Sequence, residues 1–255
     1  MSDLDALARF YDLEHADISD DVRMYVHLAQ QHGSPILEVG CGTGRVLLPL
    51  VRAGYTVTGV DSSPAMMERA RAKLAVEPAA VRGRALLRQA DIRDSALGGG
   101  FRLAILAINT FMHLTTRADQ LRALGAIHRE LADAGKLVID VNSPYLFLLA
   151  GAAEPLMLHR RLVDPETGRP ILKLITARFD HANQVQHLTL IYDETDDNGC
   201  VHRTLMEIPL RYVFRFEMEL LLERAGFSVD AVYGSTEMDP YEDECEKMIF
   251  LASKR

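Results

Sequence analysis

Ile36-Leu37-Glu38-Val39-Gly40-Cys41-Gly42-Thr43-Gly44 is the stretch that decides the fold class of this 255-residue chain. A short apolar run ends at Val39, and glycines then follow at alternate positions. Glycine lets a backbone turn tightly and come close to a ligand that a side chain would hold away. The next apolar residues lie on one helical face: Val46, Leu47, Leu50 and Val51. The stretch therefore predicts a strand that turns sharply into a helix, with a ligand site at the turn.

Short apolar runs alternate with helical patterns from Ile36 to about Val141. The later runs predict strands at Tyr55–Val60, Leu86–Asp91, Leu103–Ile108 and Lys136–Val141. Ser63 and Pro64 predict the start of a helix, because serine is a favoured N-cap and proline a favoured first helical residue. Continuous apolar strands separated by helices are typical of a parallel sheet covered on both faces. We therefore expect an α/β fold built on a doubly wound, mostly parallel sheet.

The pattern changes between about Leu156 and Phe214, where β-rich segments are separated by turn-rich stretches. Ile171–Phe179 and Val185–Tyr192 have strand composition, which predicts an antiparallel meander inserted into the α/β framework. The framework resumes with a helix at about Phe216–Ala225 and strands at Phe227–Tyr233 and Lys247–Ala252. The predicted organisation is an N-terminal helical cap over residues 1–32, an α/β domain over 33–145 and 215–255, and an inserted antiparallel β lid over 146–214.

Composition and charge exclude several classes of protein. The chain is 48% hydrophobic and 25% charged, which is typical of a globular protein and not of a disordered one. A net charge of −8 argues against a nucleic-acid partner. Met1–Asp5 is acidic and has no signal-peptide character, and Tyr145–Ala153 is too short to span a bilayer, so we expect a cytoplasmic protein without a membrane partner.

Metal and disulfide chemistry have no support in the sequence. Three cysteines without paired spacing predict neither a zinc site nor a disulfide framework. Asp193–Gly199 resembles a calcium loop superficially, but Asn198 and Thr204 stand where that loop needs glycine and glutamate. We expect no metal.

The glycine loop departs from the dinucleotide fingerprint G-x-G-x-x-G. Arg45 stands where the third glycine of that fingerprint allows close helix–strand packing, and the third glycine here is Gly44. Asp61 ends the second predicted strand, where an acidic residue can accept hydrogen bonds from ribose hydroxyls.

These residues together resemble the class I S-adenosylmethionine-dependent methyltransferases, most clearly over Ile36–Val141, with Asp91 after the third strand adding to the match. The resemblance implies a Rossmann-like sheet, S-adenosylmethionine as cofactor and S-adenosylhomocysteine as product. It places Gly40, Gly42 and Gly44 at the methionine part of the cofactor and Glu38 at its amino group. The remaining contacts that it implies are Asp61 at the ribose, Ser62 and Met66 near the adenosine, Asp91 and Ile92 at the adenine, and Ile108, Asn109 and His113 facing the sulfonium and the substrate.

Tyr11-Asp12 resembles the N-terminal tyrosine of the glycine and sugar N-methyltransferase branch, where an insertion like the predicted meander also covers the pocket. We therefore expect methyl transfer to a nitrogen or oxygen of a small molecule by a monomer or homodimer. His113 and Tyr11 are the candidate catalytic residues, because either could take a proton from an acceptor; each could instead be structural. An NAD-dependent oxidoreductase and a non-catalytic S-adenosylmethionine-binding protein are the alternatives.

Overall fold

Helices and strands alternate through the first half of the chain in this computed structural model, which describes residues 3–16, 20–94, 96–144 and 155–255. Two helices come first, α1 (Asp3–His15) and α2 (Asp20–His32). The elements that follow are β1 (Ile36–Val39), α3 (Leu47–Arg52), β2 (Val57–Asp61), α4 (Pro64–Ala75), α5 (Ala79–Arg82), β3 (Ala85–Gln89), β4 (Phe101–Leu106), a 3-10 turn (Thr110–His113), α6 (Arg117–Glu130) and β5 (Leu131–Asn142). The second half contains β6 (Met157–Val163), β7 (Pro170–Asp180), β8 (Val185–Thr195), β9 (Val201–Arg211), α7 (Arg215–Arg224), β10 (Phe227–Tyr233) and β11 (Lys247–Lys254).

The main sheet has seven strands in the order β3-β2-β1-β4-β5-β11-β10. The pairs β3–β2, β2–β1, β1–β4 and β4–β5 are parallel, and β11 runs antiparallel to both of its neighbours. The chain moves outward in one direction from β1 to β3 and then returns to the other side of β1 with β4. The predicted doubly wound, mostly parallel α/β sheet is confirmed.

Helices bury both faces of this sheet. Leu124 of α6 and Leu222 of α7 belong to the cluster on one face, and Leu28 of α2 and Leu50 of α3 to the cluster on the other. All four side chains are 2% exposed or less, and burying a leucine contributes about 1.5–3 kcal/mol. The Ser63 side chain accepts a hydrogen bond from the Met66 backbone N–H, so Ser63 and Pro64 start α4 as predicted.

Two predicted strands end earlier than expected, and this matters for the site. β3 ends at Gln89 and β4 at Leu106, so Asp91 and Ile108 lie in the loops that follow. The turn after β4 places Ile108 at φ 31° and Asn109 at φ 59°, which strand backbone cannot adopt. Apolar composition could not reveal that turn.

β6, β7, β8 and β9 form a separate four-stranded antiparallel sheet, each paired with the next. β7 and β8 match the two strands that composition predicts, while the more mixed composition of β6 and β9 predicts neither strand individually. Helix α1 packs on one face of this sheet, where the rings of Phe10 and Tyr192 stack 3.9 Å apart. The predicted domain boundary after residue 145 and the apolar stretch Tyr145–Ala153 lie outside the described residues.

Candidate active site

A cleft of about 270 Å³ lies where the strand order of the main sheet reverses. The loops that follow β1, β2, β3 and β4 line it, and sheets of this kind bind ligands at this position. Helix α1 adds Leu7 and Tyr11 to the lining. The described residues of the meander do not line the cleft themselves, but they contact two elements that do, α1 and the 3-10 turn after β4.

Most of the predicted site residues line this cleft: Tyr11, Gly40, Gly42, Asp61, Ser62, Met66, Asp91, Ile92, Ile108 and His113. Glu38, Gly44 and Asn109 do not line it. The lining residues that sequence reasoning missed are Leu7, Val39, Val60, Ser63, Ala90, Arg93, Thr110 and Leu114. Helical spacing could have found Leu7, which precedes Tyr11 by one turn, whereas most of the others adjoin residues that were predicted.

Asp61 ends β2, and its carboxylate holds two loops together. Oδ2 accepts a hydrogen bond from the Gly42 backbone N–H at 2.8 Å, and Oδ1 accepts one from Ser63 N–H at 2.8 Å. Burial raises the pKa of this carboxyl, although the backbone hydrogen bonds act in the opposite direction. The Ser62 backbone N–H is a third donor to this carboxylate. A carboxylate offers about four acceptor positions, so Asp61 can still accept a hydrogen bond from a hydroxyl group in the cleft.

The glycine loop needs glycine for two different reasons. Gly40 has φ +68°, and a Cβ there would collide with the methyl group of Thr110. Gly42 has φ +53°, and the one atom within 4 Å of a Cβ there would be Met66 Sδ, at 4.0 Å. Gly40 therefore allows the loops after β1 and β4 to approach each other, while Gly42 leaves open the space over Met66.

Glu38 lies beneath the loop and not on the cleft. Its side chain is 2% exposed and accepts a hydrogen bond from the Leu47 backbone N–H at the start of α3. Oε2 has no hydrogen-bond partner among the described residues. Burial raises the pKa of this carboxyl to about 8, against the opposing effect of Arg45, so the neutral acid predominates at neutral pH.

Arg45 joins the glycine loop to both N-terminal helices. Its guanidinium donates to the Asp21 carboxylate of α2 at 2.9 and 2.5 Å, and it also hydrogen-bonds the Tyr11 phenol of α1. The side chains of Arg45 and Asp21 are 12% and 3% exposed. Burial raises the pKa of Tyr11 even though Arg45 acts to lower it, so the phenol stays protonated at neutral pH.

We expect Arg45→Met to lower the free energy of unfolding by about 3–5 kcal/mol, because it leaves the buried Asp21 carboxylate without its charge partner. The control is Arg23→Met, whose partner Asp20 and own side chain are both 68% exposed. That exposed pair should contribute less than about 1 kcal/mol. Urea unfolding of both variants measures the difference, and equal losses would contradict the structural role assigned to Arg45.

Asp91 is held by a neighbouring cation at the rim of the cleft. The Arg93 side chain donates to its carboxylate from Nε at 3.0 Å and from a terminal nitrogen at 2.5 Å, and also contacts Asp119 of α6 at 2.9 Å. The hydrogen bond from Arg93 lowers the pKa of Asp91. The carboxylate is therefore ionised at neutral pH and fixed in orientation.

Asn109 holds the turn that follows β4 from behind. Its Oδ1 accepts a hydrogen bond from the Asn142 backbone N–H at 2.7 Å, and its own N–H donates to the Asp140 carbonyl at 2.9 Å. The next residues of the chain form the 3-10 turn that brings Thr110 and His113 to the cleft. His113 is exposed to the cleft, and desolvation by the surrounding protein lowers the pKa of its imidazole.

Among the described residues, no group of three or more His, Cys, Asp and Glu side chains could hold a metal ion. Within the same ranges, no helix is long and apolar enough to cross a membrane.

Known proteins similar to this chain are methyltransferases. A family described as a methyltransferase domain matches residues 36–135. A cypemycin N-terminal methyltransferase from Streptomyces sp is 28% identical over 88% of this chain and 84% of its own length. A glycine/sarcosine N-methyltransferase from Parasynechococcus marenigrum (strain WH8102) is 26% identical over 84% of this chain and 71% of its own. The structure of the CcbJ methyltransferase from Streptomyces caelestis superposes with a TM-score of 0.79 at 21% identity, covering 94% of this chain and 98% of the other.

The sheet order, the glycine loop and these relatives identify the chain as a class I S-adenosylmethionine-dependent methyltransferase. The predictions of enzyme class and cofactor are thereby confirmed. The NAD-dependent oxidoreductase and the non-catalytic binding protein are not favoured, because the relatives are methyltransferases.

Proposed function

We propose that this enzyme methylates an amine nitrogen of a small molecule, with the acceptor entering the cleft beside His113. The observation that carries the proposal is the position of His113, whose imidazole is exposed in the lining of the cleft. Desolvation lowers the pKa of this imidazole, which favours the neutral form that can accept a proton. Two of the relatives reported above support nitrogen as the acceptor atom, because one is named as an N-terminal methyltransferase and the other as a glycine/sarcosine N-methyltransferase.

The residues of the cleft suit the cofactor in chemistry and in space. We place the ribose hydroxyls at Asp61, the one carboxylate that also fixes Gly42 N–H and Ser63 N–H. The open space over Gly42 and the buried side chains of Met66 and Ile92 would receive the methionine and adenine parts. Asp91, ionised and fixed by Arg93, would accept a hydrogen bond from the adenine amino group. Glu38 and Asn109 would not contact the cofactor. Glu38 would instead stabilise the loop after β1, and Asn109 the loop after β4.

The bound cofactor supplies a methyl group that its sulfonium already activates. The protein therefore mainly has to align the acceptor and exclude water, and good alignment can lower a barrier by about 7–11 kcal/mol. Leu7, Ile108 and Leu114 give the acceptor side an apolar wall. Neutral His113 Nε2 or Nδ1 can accept the proton that an ammonium acceptor must lose before its lone pair can attack.

Tyr11 has a different role in this proposal. Because the pKa of Tyr11 is raised, the phenol stays protonated at neutral pH and no phenolate is present to accept a proton, and Arg45 already donates to its oxygen. Its O–H remains available to donate a hydrogen bond to a ligand in the cleft. We therefore propose that Tyr11 orients a ligand and that His113 is the base.

A substrate panel tests the proposed function. Purified enzyme is incubated with S-adenosylmethionine and matched pairs of small amines and alcohols, and mass spectrometry detects both S-adenosylhomocysteine and the methylated acceptor. We expect methylation of at least one amine and not of its matched alcohol. Methylation confined to alcohols would overturn the choice of nitrogen.

Replacing His113 should remove one limb of the pH profile. Transfer by the wild type should fall as the pH drops through the His113 pKa, which desolvation lowers from its ordinary value, because protonated imidazole cannot accept a proton. We expect His113→Asn to lower kcat by about a hundredfold and to lose this limb, while S-adenosylhomocysteine affinity is retained. The control is His27→Asn, at an exposed histidine of α2. A wild-type pH profile in His113→Asn would exclude His113 as the base.

A further inference from the structure

One face of the four-stranded meander carries an apolar row that no described element covers. The inner face packs against α1 through Tyr192, Met206 and Ile208. The opposite face carries one apolar side chain from each strand, and these pair in register: Leu158 with Leu174, Leu174 with Ile191, and Ile191 with Leu205. We call these four residues the outer row.

The outer row departs from the usual design of an antiparallel sheet. A sheet that packs one face on a core normally presents polar residues on the other. Here Leu158 and Leu205, at the two ends of the row, are 48% and 54% exposed, while Leu174 between them is half-buried and Ile191 is 8% exposed. Exposed leucines at both ends of an apolar row, with charged residues beside it, are typical of a protein–protein contact surface.

Two opposite charges flank the outer row on β9. Arg203 and Glu207 lie two residues before and two residues after Leu205, so both share its face and stand roughly 7 Å to either side of it. Arg203 pairs with Asp193 of the neighbouring strand, with both N–O distances at 2.7 Å. Glu207 forms no ion pair with the residues that the structure describes.

We propose that this face is a homodimer interface, in which a second copy of the chain packs its own outer row against this one about a two-fold axis parallel to the row. Such an axis superposes each strand on its own counterpart and reverses the direction along it. Arg203 of one protomer then faces Glu207 of the partner subunit, and the symmetry makes this contact twice. The face is therefore complementary in charge to a second copy of itself. This self-complementarity favours a second copy over an unrelated partner.

The area of the face is close to what a stable dimer interface requires. β7, β8 and β9 have 11 residues each, a length of roughly 35 Å, and four strands span roughly 15–19 Å across. The face therefore measures about 500–700 Å², close to the roughly 800 Å² that each partner contributes to a stable interface of standard size. Because the inner face holds α1, which carries Tyr11, the dimer would also brace the helix that borders the cleft.

Light scattering after size exclusion, over a wide range of protein concentration, tests the interface. We expect the wild type to have twice the protomer mass of 28.4 kDa. Leu205→Lys should raise the dissociation constant of the dimer about tenfold or more, because it places a charge within the apolar row that the two copies would share. The matched control is Leu220→Lys on α7, at a leucine that is 65% exposed, which should leave the dimer intact. Circular dichroism checks that both variants are folded.

A charge exchange tests the orientation of the two copies. Arg203→Glu alone and Glu207→Arg alone each bring like charges together across the axis, so each variant should dissociate. Mixing equal amounts of the two variants should restore dimers, because every contact in the mixed dimer then joins opposite charges. A wild type of protomer mass at every concentration would overturn the proposal, as would a dimer that survives Leu205→Lys but not Leu220→Lys. Folded single variants that fail to associate on mixing would exclude this axis.

Discussion

Gly40→Ala is expected to weaken the binding of S-adenosylhomocysteine by about a hundredfold or more, equivalent to about 2.7 kcal/mol. The added Cβ would collide with the methyl group of Thr110 and lie 2.9 Å from its hydroxyl oxygen. Thr110 opens the turn that carries His113, so the collision separates the loops after β1 and β4 at the point where both border the cleft. Isothermal titration calorimetry measures the affinity.

Two further variants separate this collision from ordinary backbone strain. Gly54 has φ +102° with nothing within 4 Å of a Cβ, so Gly54→Ala should cost about 1–2 kcal/mol of stability and leave the affinity unchanged. Adding Thr110→Ala to Gly40→Ala removes both colliding atoms and should restore part of the affinity. Normal binding by Gly40→Ala would show that the two loops move apart without consequence.

Asp61→Asn should have the second large effect, again of about a hundredfold on S-adenosylhomocysteine affinity. The amide nitrogen would face a backbone donor, either Gly42 N–H or Ser63 N–H, and one acceptor for the ribose would be lost. Hydrogen bonds to charged groups contribute about 1.5–3 kcal/mol each, which accounts for this magnitude. Calorimetry and thermal unfolding with and without the ligand measure the loss.

The control for Asp61 is Asp94→Asn, at a carboxylate that is 67% exposed and paired with Arg122. The Asp94→Asn variant should bind S-adenosylhomocysteine with wild-type affinity, because Asp94 does not line the cleft. An Asp61→Asn protein that is folded and binds with wild-type affinity would remove Asp61 from the site.

The fold and the centre of the site were predictable because their signals are local. The glycine loop, the apolar runs before it and the Ser63–Pro64 start of α4 depend on neighbours within a few residues. Strand order then follows from the rules that govern parallel sheets, and these rules bring the ends of β1 and β2 together. This is why Gly42 and Asp61 could both be assigned to one cleft.

What the sequence could not show depends on contacts between distant segments. Arg45 meets Asp21 and Tyr11 only because two helices fold back over the loop, and a hydrophobic pattern does not encode that approach. The Asn109 side chain turns away from the cleft because its Oδ1 accepts a hydrogen bond from the Asn142 backbone N–H. A residue predicted to face the sulfonium therefore lies behind the cleft. The outer row depends on the register of four strands, which composition alone does not set.

The crystal structure of the complex with S-adenosylhomocysteine tests the proposed site most directly. We predict ribose hydroxyls within hydrogen-bond distance of the Asp61 carboxylate, adenine beside Ile92 and Asp91, and the sulfur on the side of the cleft that carries His113. A ligand bound elsewhere, or one in this cleft whose sulfur is turned away from His113, would contradict the arrangement from which the proposed mechanism is derived.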